Sequence, residues 1–522
     1  MPAAGGGPYV TRSPYSGPDV PFDGSQGSVA VLEHILEAAR SADPVEAPAF
    51  VAGRWSRDGS PAERVGPYVR RVVSRSFTAG EEQVRQAARF AGESAAAVAR
   101  LAPATRATIL ERAARLATER RDDVARLIAL ELGKPVKDGR AELDRVADTF
   151  AVCAGETRHI GGDTLPVAGW ARGIGNTAMT YRAPAGVALA ITPFNAPANL
   201  LAHKLGASFA AGNTTLVKAP PQAPATTAAV VALLLEAGLP PEAVQLLHGG
   251  GEVGAALCAA REVSVISFTG SAETGHAVAR AAGAKRLVLE LGGNAATLVC
   301  ADADVALAAK TCARTGYSNS GQSCISVQRV YVHRSRFDEF LAAFRTEVEA
   351  LEVGDPLDPA TDVGSMVDEA AAARVEKWTA EAVAGGARVV TGGTRDGATL
   401  CPTIVADPAP DATLVVEEVF GALVAVLPFD DVDAVIAACN ASRFGLQAGA
   451  FTHDVRTIVR LWRELQVGGL VVNGSSNYRL DHVPFGGVKD SGFGRESPAH
   501  MIDDYTVVKT LILRGLSIWG DR

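Results

Sequence analysis

From about residue 187 the chain alternates short apolar runs with helix-patterned stretches, and this alternation limits the fold more than any other feature. Runs at 187–191, 215–218, 243–247 and 263–268 are rich in Val, Ile and Leu, and helical periodicity marks 226–237 and 272–282. Short apolar runs bounded by turn residues and separated by helices predict buried strands of a parallel, doubly wound α/β sheet. A second α/β set spans about 295–472. Residues 80–156 read as helices, most clearly at 81–97 and 105–132, where Ala-rich stretches carry Arg and Glu at helical spacing. The stretch 158–182 has strand-like pieces and Gly turns but little core signal. Residues 1–27, rich in Gly, Pro and Ser, are expected to be poorly ordered, with a short amphipathic helix over 28–42 after them.

Composition narrows the function classes. The net charge of −8 supplies no basic footprint for nucleic acid or an anionic membrane. No run of 18 apolar residues predicts a membrane span, and the Met1 end lacks the basic and apolar regions of a signal peptide. The seven cysteines are scattered, without a CxxC or Cys/His cluster, so no metal and no disulfide framework is expected, and a reducing cytoplasm is the natural setting.

Three segments carry chemistry. Cys324 ends Gly321-Gln322-Ser323-Cys324, Glu290 lies in Leu289-Glu290-Leu291-Gly292-Gly293-Asn294, and Asn195 lies in Pro193-Phe194-Asn195-Ala196-Pro197. A thiolate attacks a carbonyl carbon and holds the product as a thioester, and a carboxylate activates the water that releases it. A thiol of ordinary pKa is barely ionised near neutrality, so the surroundings must supply a base or a positive field. Asn195 follows the run at 187–191, and ends of parallel strands are where such sheets place ligands. An amide there can donate to a developing oxyanion. Taken singly, each residue has a plainer explanation: a small buried thiol, a solvated carboxylate, a turn amide.

Together, in this order and at this spacing, the three motifs resemble those of the aldehyde dehydrogenase superfamily, over about 51–510. The resemblance implies an aldehyde dehydrogenase fold with a Rossmann-like cofactor domain (49–157 and 183–292), an α/β catalytic domain (293–490) and oligomerisation elements (158–182 and 498–522), after an N-terminal extension (1–48). It implies Cys324 as nucleophile, Glu290 as general base and Asn195 as oxyanion donor, with NAD or NADP as cofactor, a small-molecule aldehyde as substrate and a homodimer or homotetramer as assembly. For the cofactor it implies Lys218 near the adenine-side ribose, Gly270 and Ser271 at a helix N-terminus facing the pyrophosphate, Glu418 on the nicotinamide ribose, and Phe420 and Phe194 beside the ring. Gly249-Gly250-Gly251-Glu252-Val253-Gly254 also fits GxGxxG, a weak signal alone. NAD-preferring members carry Glu where this chain has Pro221, which leaves NADP open. The run 484–496, from Pro484-Phe485-Gly486-Gly487 to Arg495-Glu496, is a further family motif, expected to give structural support.

For the substrate pocket the resemblance implies Ala196, His203, Ser323, Arg479 and Phe485. Ala196 and His203 stand where members with apolar substrates carry bulky aromatics, which suggests a roomier or more polar pocket. The run 478–482 resembles members acting on lactaldehyde, glyceraldehyde 3-phosphate or phosphonoacetaldehyde. Members that handle phosphate-like groups often place Arg before the nucleophile, where this chain has Ser323. An Arg479–Asp481 salt bridge within the loop is the plainer alternative. Two other functions compete: a coenzyme A-acylating dehydrogenase, which commonly lacks the Glu at 290, and a catalytically silent binding or structural protein on the same fold.

Overall fold

The structure is a computed structural model, and it describes residues 24–41, 43–516 and 518. The expectation for the N-terminal tail lies outside the described residues as far as residue 23. From Gly24 the chain is a helix, Gly24–Arg40, so order begins earlier than composition suggests. Leu32, Ile35, Leu36 and Ala39 recur at helical spacing and are fully buried against the Pro224–Glu236 helix. That partner is buried on every side, as expected for a helix with no polar face. The 24–40 helix is therefore a layer of the first core, not an appendage.

The first sheet has eight strands. Its centre is parallel: Arg286–Glu290, Val265–Thr269, Val187–Ile191, Thr214–Lys218 and Val244–Leu247 lie side by side in that order. The chain starts at Val187–Ile191, adds two strands on one side, then crosses to add two on the other. The order thus reverses between Val187–Ile191 and Val265–Thr269. A crevice opens beyond the strand ends at such a reversal, because the connections leave in opposite directions. The sheet edges are antiparallel, Ala49–Val51 with Arg54–Ser56 at one end and Gly492–Phe493 at the other.

A second sheet of seven strands contains Ala296–Val299, Arg329–His333, Thr403–Ala406, Leu423–Phe429, Gln447–Phe451 and Gly469–Val472, all parallel, with Arg388–Thr391 antiparallel at one edge. It has its own apolar core. The helical stretch expected at 105–132 divides into Pro103–Glu119 and Arg121–Leu132, because Arg120 leaves helical geometry at φ −98°, ψ 9°. The weakly patterned 158–182 contributes to a separate antiparallel sheet in which Asn176–Pro184 pairs along its length with Thr506–Arg514 and also with Thr164–Leu165. Its exposed side chains include Tyr181, Val508 and Ile512, each about 60% accessible. Among the described residues no helix is long and apolar enough to cross a membrane.

Candidate active site

Three separate devices bring the motif residues to the crevice. Asn195 follows the Val187–Ile191 strand directly. Glu290 is the last residue of Arg286–Glu290, whose register is held by the antiparallel pairing of Leu289 with Phe493 and of Glu290 with Gly492. Cys324 is delivered from the second unit, after the Val305–Tyr317 helix, by a turn in which Asn319, Ser320 and Gly321 are all left-handed. Two consecutive non-glycine residues in that region are strained, so the surroundings must hold them. They do: the Asn319 N–H donates to Asp138 Oδ2 (2.8 Å), and its Nδ2 donates to the backbone oxygens of Asn195 (3.1 Å) and Gln322 (3.2 Å). Asn195 Nδ2 donates to the same Gln322 oxygen (3.0 Å), and the buried Lys134 ammonium donates to the Asn195 carbonyl (3.2 Å) while paired with Glu142 (2.6 Å). The amide and the thiol are thus positioned by one network. The second N–H of the Asn195 amide and the backbone N–H of Cys324 meet no acceptor among the described residues.

The glycines of the Glu290 motif allow this convergence. A Cβ on Gly293 would lie 2.1 Å from the Cys324 carbonyl oxygen, so only glycine lets the two backbones meet. The Gly293 N–H donates to Glu418 Oε1 (2.8 Å), which ties the third carboxylate to the same turn. A Cβ on Gly486 would lie 2.8 Å from Glu290 Oε1, which places the 484–496 run directly on the carboxylate.

Burial governs the electrostatics. The Cys324 thiol is pushed up to about 12, first by burial, then by the negative charges of Glu418 and Glu290, with Arg479 opposing. Glu290 is 3% exposed, neither carboxylate oxygen has a partner among the described residues, and its pKa is raised well above the usual carboxylate range by burial and by Glu496. Glu496 is held well below that range against its own burial, because it attracts both Lys204 (3.0 Å) and Arg479 (2.9 Å). Of two neighbouring carboxylates, the one that takes the cations has its proton affinity lowered, and the other has it raised. Lys204 carries no local sequence signal, and Glu496 ends the 484–496 run, from which only structural support was expected. Lys204 reads as an ordinary helix lysine until the wide π-helical turn Ala202–Gly206 is seen to bury it beneath the site.

A cavity of about 800 Å³ runs from Cys324 along the strand ends of the first sheet. Of the residues expected around a cofactor, Phe194, Lys218, Gly270, Ser271, Glu418 and Phe420 all line it. Phe194 and Phe420 meet edge to face at 5.9 Å at the Cys324 end. Burial raises the Glu418 carboxyl to about 7. Ser271 caps the Ala272–Ala282 helix through the Thr274 N–H (3.3 Å), so the plain capping role and a place at the cavity wall coexist. At the far end burial brings Lys218 down to about 8, with Glu252 opposing. Pro221 lines this end, and Glu252 puts a carboxylate within electrostatic reach of Lys218. Arg374, stacked 4.7 Å from the Trp378 ring, also lines the cavity and was not legible in sequence.

Ala196, His203, Ser323, Arg479 and Phe485 do not line this cavity. Phe485 packs with Ile325 and Leu446 against the Cys324 side chain, and Arg479 stacks on its ring at 4.2 Å. Ala196 and Ser323 are half-buried next to Asn195 and Cys324. His203 is fully buried, with Nε2 2.9 Å from Asp481, and the Arg479 side chain is 7% exposed. Asp481 and Arg479 come within 3.9 Å, while the closer partners of Asp481 are His203 and Arg145 and that of Arg479 is Glu496.

Comparison with known proteins agrees with this architecture. The sequence model of the Aldehyde dehydrogenase family matches residues 55–511. A 3-sulfolactaldehyde dehydrogenase of Priestia megaterium is 39% identical over 465 residues, covering 89% of this chain and 97% of that protein. Aldehyde dehydrogenase 21 from Physcomitrella patens, solved in complex with the reaction product succinate, superposes with a TM-score of 0.88 at 32% identity, over 91% of this chain and all of that one. A glyceraldehyde-3-phosphate dehydrogenase from Methanocaldococcus jannaschii, solved with NADP, has a TM-score of 0.83 at 32% identity, over 86% and 98%. Sequence, sheet order and the crevice at the strand reversal lead to one assignment: the chain belongs to the aldehyde dehydrogenase family.

Proposed function

We propose that the protein oxidises a small polar aldehyde to its carboxylic acid with NAD or NADP, through a thioester on Cys324. The observation that carries this reading is the meeting of Cys324 and Asn195 at one end of a long cavity, with Glu290, from a third distant segment, buried within electrostatic reach of the thiol. The cavity fits an elongated dinucleotide. Lys218 would hold the adenine-side ribose, Gly270 and Ser271 at a helix N-terminus the pyrophosphate, and Glu418, Phe420 and Phe194 the nicotinamide half. When bound, the dinucleotide supplies the hydride acceptor of the oxidation.

The chain's own residues do the rest. The Cys324 sulfur, having given up its proton, forms a C–S bond to the aldehyde carbon, and the carbonyl oxygen becomes an oxyanion. The free N–H of the Asn195 amide and the Cys324 backbone N–H are the donors for that oxygen. Loss of hydride from the same carbon leaves a thioester. Glu290, once ionised, takes a proton from water; hydroxide adds to the thioester carbon and the thiolate departs. A buried, partnerless carboxylate of raised proton affinity is well suited to that step. A Glu at this place favours hydrolysis over transfer to coenzyme A, and retention of all three groups argues against a silent protein.

The eight-stranded sheet serves as the cofactor-binding unit and the seven-stranded sheet as the catalytic unit. The apolar sheet formed by Asn176–Pro184 and Thr506–Arg514 serves assembly into a cytoplasmic homodimer or homotetramer. The names of the relatives, 3-sulfolactaldehyde dehydrogenase and glyceraldehyde-3-phosphate dehydrogenase, support a small polar aldehyde. The test is reduced-cofactor formation across an aldehyde panel with NAD+ and with NADP+, for the parent, Cys324→Ala and Glu290→Gln. Cys324→Ala is expected to be inactive and to retain dinucleotide binding. Glu290→Gln is expected to give a burst followed by slow turnover, with an acyl group on Cys324 by mass spectrometry. Acylation of a different cysteine, or unimpaired turnover by Cys324→Ala, overturns the assignment.

A further inference from the structure

At the end of the cavity far from Cys324, one buried cation stands alone. Lys218 is 7% exposed and lines the cavity, and its ammonium has no hydrogen-bond or ion-pair partner among the described residues. A buried ammonium is costly without a counter-charge. Pro220, Pro221 and Gln222, which line the same end, bring none. The other charged residues lining the cavity are engaged elsewhere. Glu273 pairs with Arg443 (3.2 Å), Glu418 accepts from the Gly293 N–H, and Arg374 donates to the Val419 carbonyl (2.9 Å). The carboxylate that opposes the effect of burial on Lys218 is Glu252.

Strand register brings these two residues together. Leu247 is the neighbour of Lys218 across the parallel strands Val244–Leu247 and Thr214–Lys218, and the Ala219 N–H donates to the Leu247 carbonyl (3.0 Å). The chain leaving Leu247 therefore emerges beside Lys218, and it soon enters the helix Gly251–Ala259. Gly250 and Gly251 line the cavity. The N-terminus of this helix is occupied by the chain's own carboxylate. Glu252 Oε1 accepts from the Gly250 N–H (3.0 Å), and a Cβ on Gly250 would lie 2.8 Å from Oε2. The backbone N–H groups of Glu252 and Gly250 hold this carboxyl below its usual range, with Lys218 adding to the effect, so it is ionised at neutral pH. The residue is solvent-exposed, so its charge acts through water and is open to screening by salt.

We propose that Glu252 sets the choice between NAD+ and NADP+, by placing a negative charge at the adenine-side ribose, where the two dinucleotides differ. This rests on the dinucleotide reading of the cavity and adds a selecting residue to it. NADP+ carries one more phosphate, on the ribose 2′ oxygen, with a charge of about −1.5 to −2 at neutral pH. Lys218 attracts that phosphate. Glu252, folded over Gly250, repels it and keeps the Gly250 N–H from donating to it. The cavity thus accepts either dinucleotide, and Glu252 holds down the advantage that Lys218 gives to NADP+.

The test separates charge from shape. Glu252→Gln keeps an oxygen for the Gly250 N–H and removes the charge, whereas Glu252→Asp keeps the charge. The probes are 5′-AMP and 2′,5′-ADP, which differ in the 2′-phosphate alone. Their dissociation constants are measured by calorimetry at pH 7, where Lys218 is charged, at low and at high salt. The ratio of the two constants, 5′-AMP over 2′,5′-ADP, is expected to rise about fivefold in Glu252→Gln at low salt and less than about twofold at high salt, because an exposed charge is screened. Glu252→Asp is expected to stay within about twofold of the parent. With an aldehyde that the enzyme oxidises, kcat/KM for NADP+ over NAD+ should move in the same direction. A ratio unchanged or lowered in a folded Glu252→Gln, while both probes bind, overturns the role of Glu252 and leaves the dehydrogenase reading intact. A rise of the same size at both salt concentrations marks a change of shape instead of charge, and overturns it too. Failure of both probes to bind, with no aldehyde oxidised by either dinucleotide, overturns the reading beneath it.

Discussion

At the scale of single residues, the site is built from groups whose proton affinities burial has displaced. Cys324 without ligand is a thiol pushed up to about 12, far from a ready nucleophile. At a pH below both values, a thiol of pKa about 12 holds about a thousandfold less thiolate than one of 9. Alkylation of Cys324 by iodoacetamide in the cofactor-free protein should therefore be slow at neutral pH and still rising at pH 10, as read by peptide mass spectrometry. A plateau below pH 9 would mean that the site already stabilises the thiolate. Lys218 is displaced in the other direction, to about 8. A lysine of lowered pKa is charged below that value and neutral above it, and a bound phosphate raises the value again. Attraction for NADP+ should then weaken at and above about pH 8. The dissociation constant, followed by fluorescence quenching between pH 7 and 9.5, should rise in the parent and lose this dependence in Lys218→Met. Cys324, Glu290 and Asn195 were legible because each sits in a short motif. The effect of Glu496 and Lys204 on the proton affinity of Glu290, which adds to that of its burial, was not, since burial and pairing across the fold are invisible in a local pattern.

At the scale of elements, the site depends on backbones that approach one another more closely than side chains permit. The turn after Arg286–Glu290 touches the Cys324 loop at Gly293, where a Cβ would stand 2.1 Å from a carbonyl oxygen. The partner atom is backbone, so the neighbouring loop has to shift. Gly293→Ala is expected to fold with a lowered Tm and to lose about 100-fold in kcat, because a displacement near 1 Å at the nucleophile costs about that much. A variant with parental kcat would show that the loop moves freely. Strand positions were readable to within a residue or two, as at Thr214–Lys218 and Val265–Thr269, because runs of branched apolar residues bounded by turns have few other uses. Asn176–Pro184 was less readable: its faces are largely uncovered within the chain, and its pairing partner lies more than 300 residues away, at Thr506–Arg514.

At the scale of the whole molecule, that same sheet leaves apolar side chains facing outward. Val508 and Ile512 are four residues apart on one face of one strand, 59% and 61% exposed, while Tyr181, paired with Lys509 and 60% exposed, lies on the other face with Leu511. An apolar surface of this kind on an ordered sheet is expected to be covered by another subunit. The double substitution Val508→Glu and Ile512→Glu should lower the sedimentation coefficient by at least one assembly step, with the far-UV circular dichroism of the subunit retained. An unchanged assembly would place the contact elsewhere.

The alternation of strand and helix determined a parallel α/β architecture, and the three motifs determined which residues meet and what reaction they suit, because both signals are carried by neighbours in sequence. The tertiary structure decided what no neighbour could report. The strand order reverses beyond Val187–Ile191, which opens the crevice there. The chain from Gly24 to Arg40 packs into the core instead of trailing from it. Burial and the neighbouring Glu496, which pairs with both Lys204 and Arg479, raise the proton affinity of Glu290. Arg145, His203 and Arg479, from three elements, meet around one aspartate. Each outcome depends on burial and on charges brought together across hundreds of residues, and the energy of a charge depends on its surroundings, which only the folded chain defines.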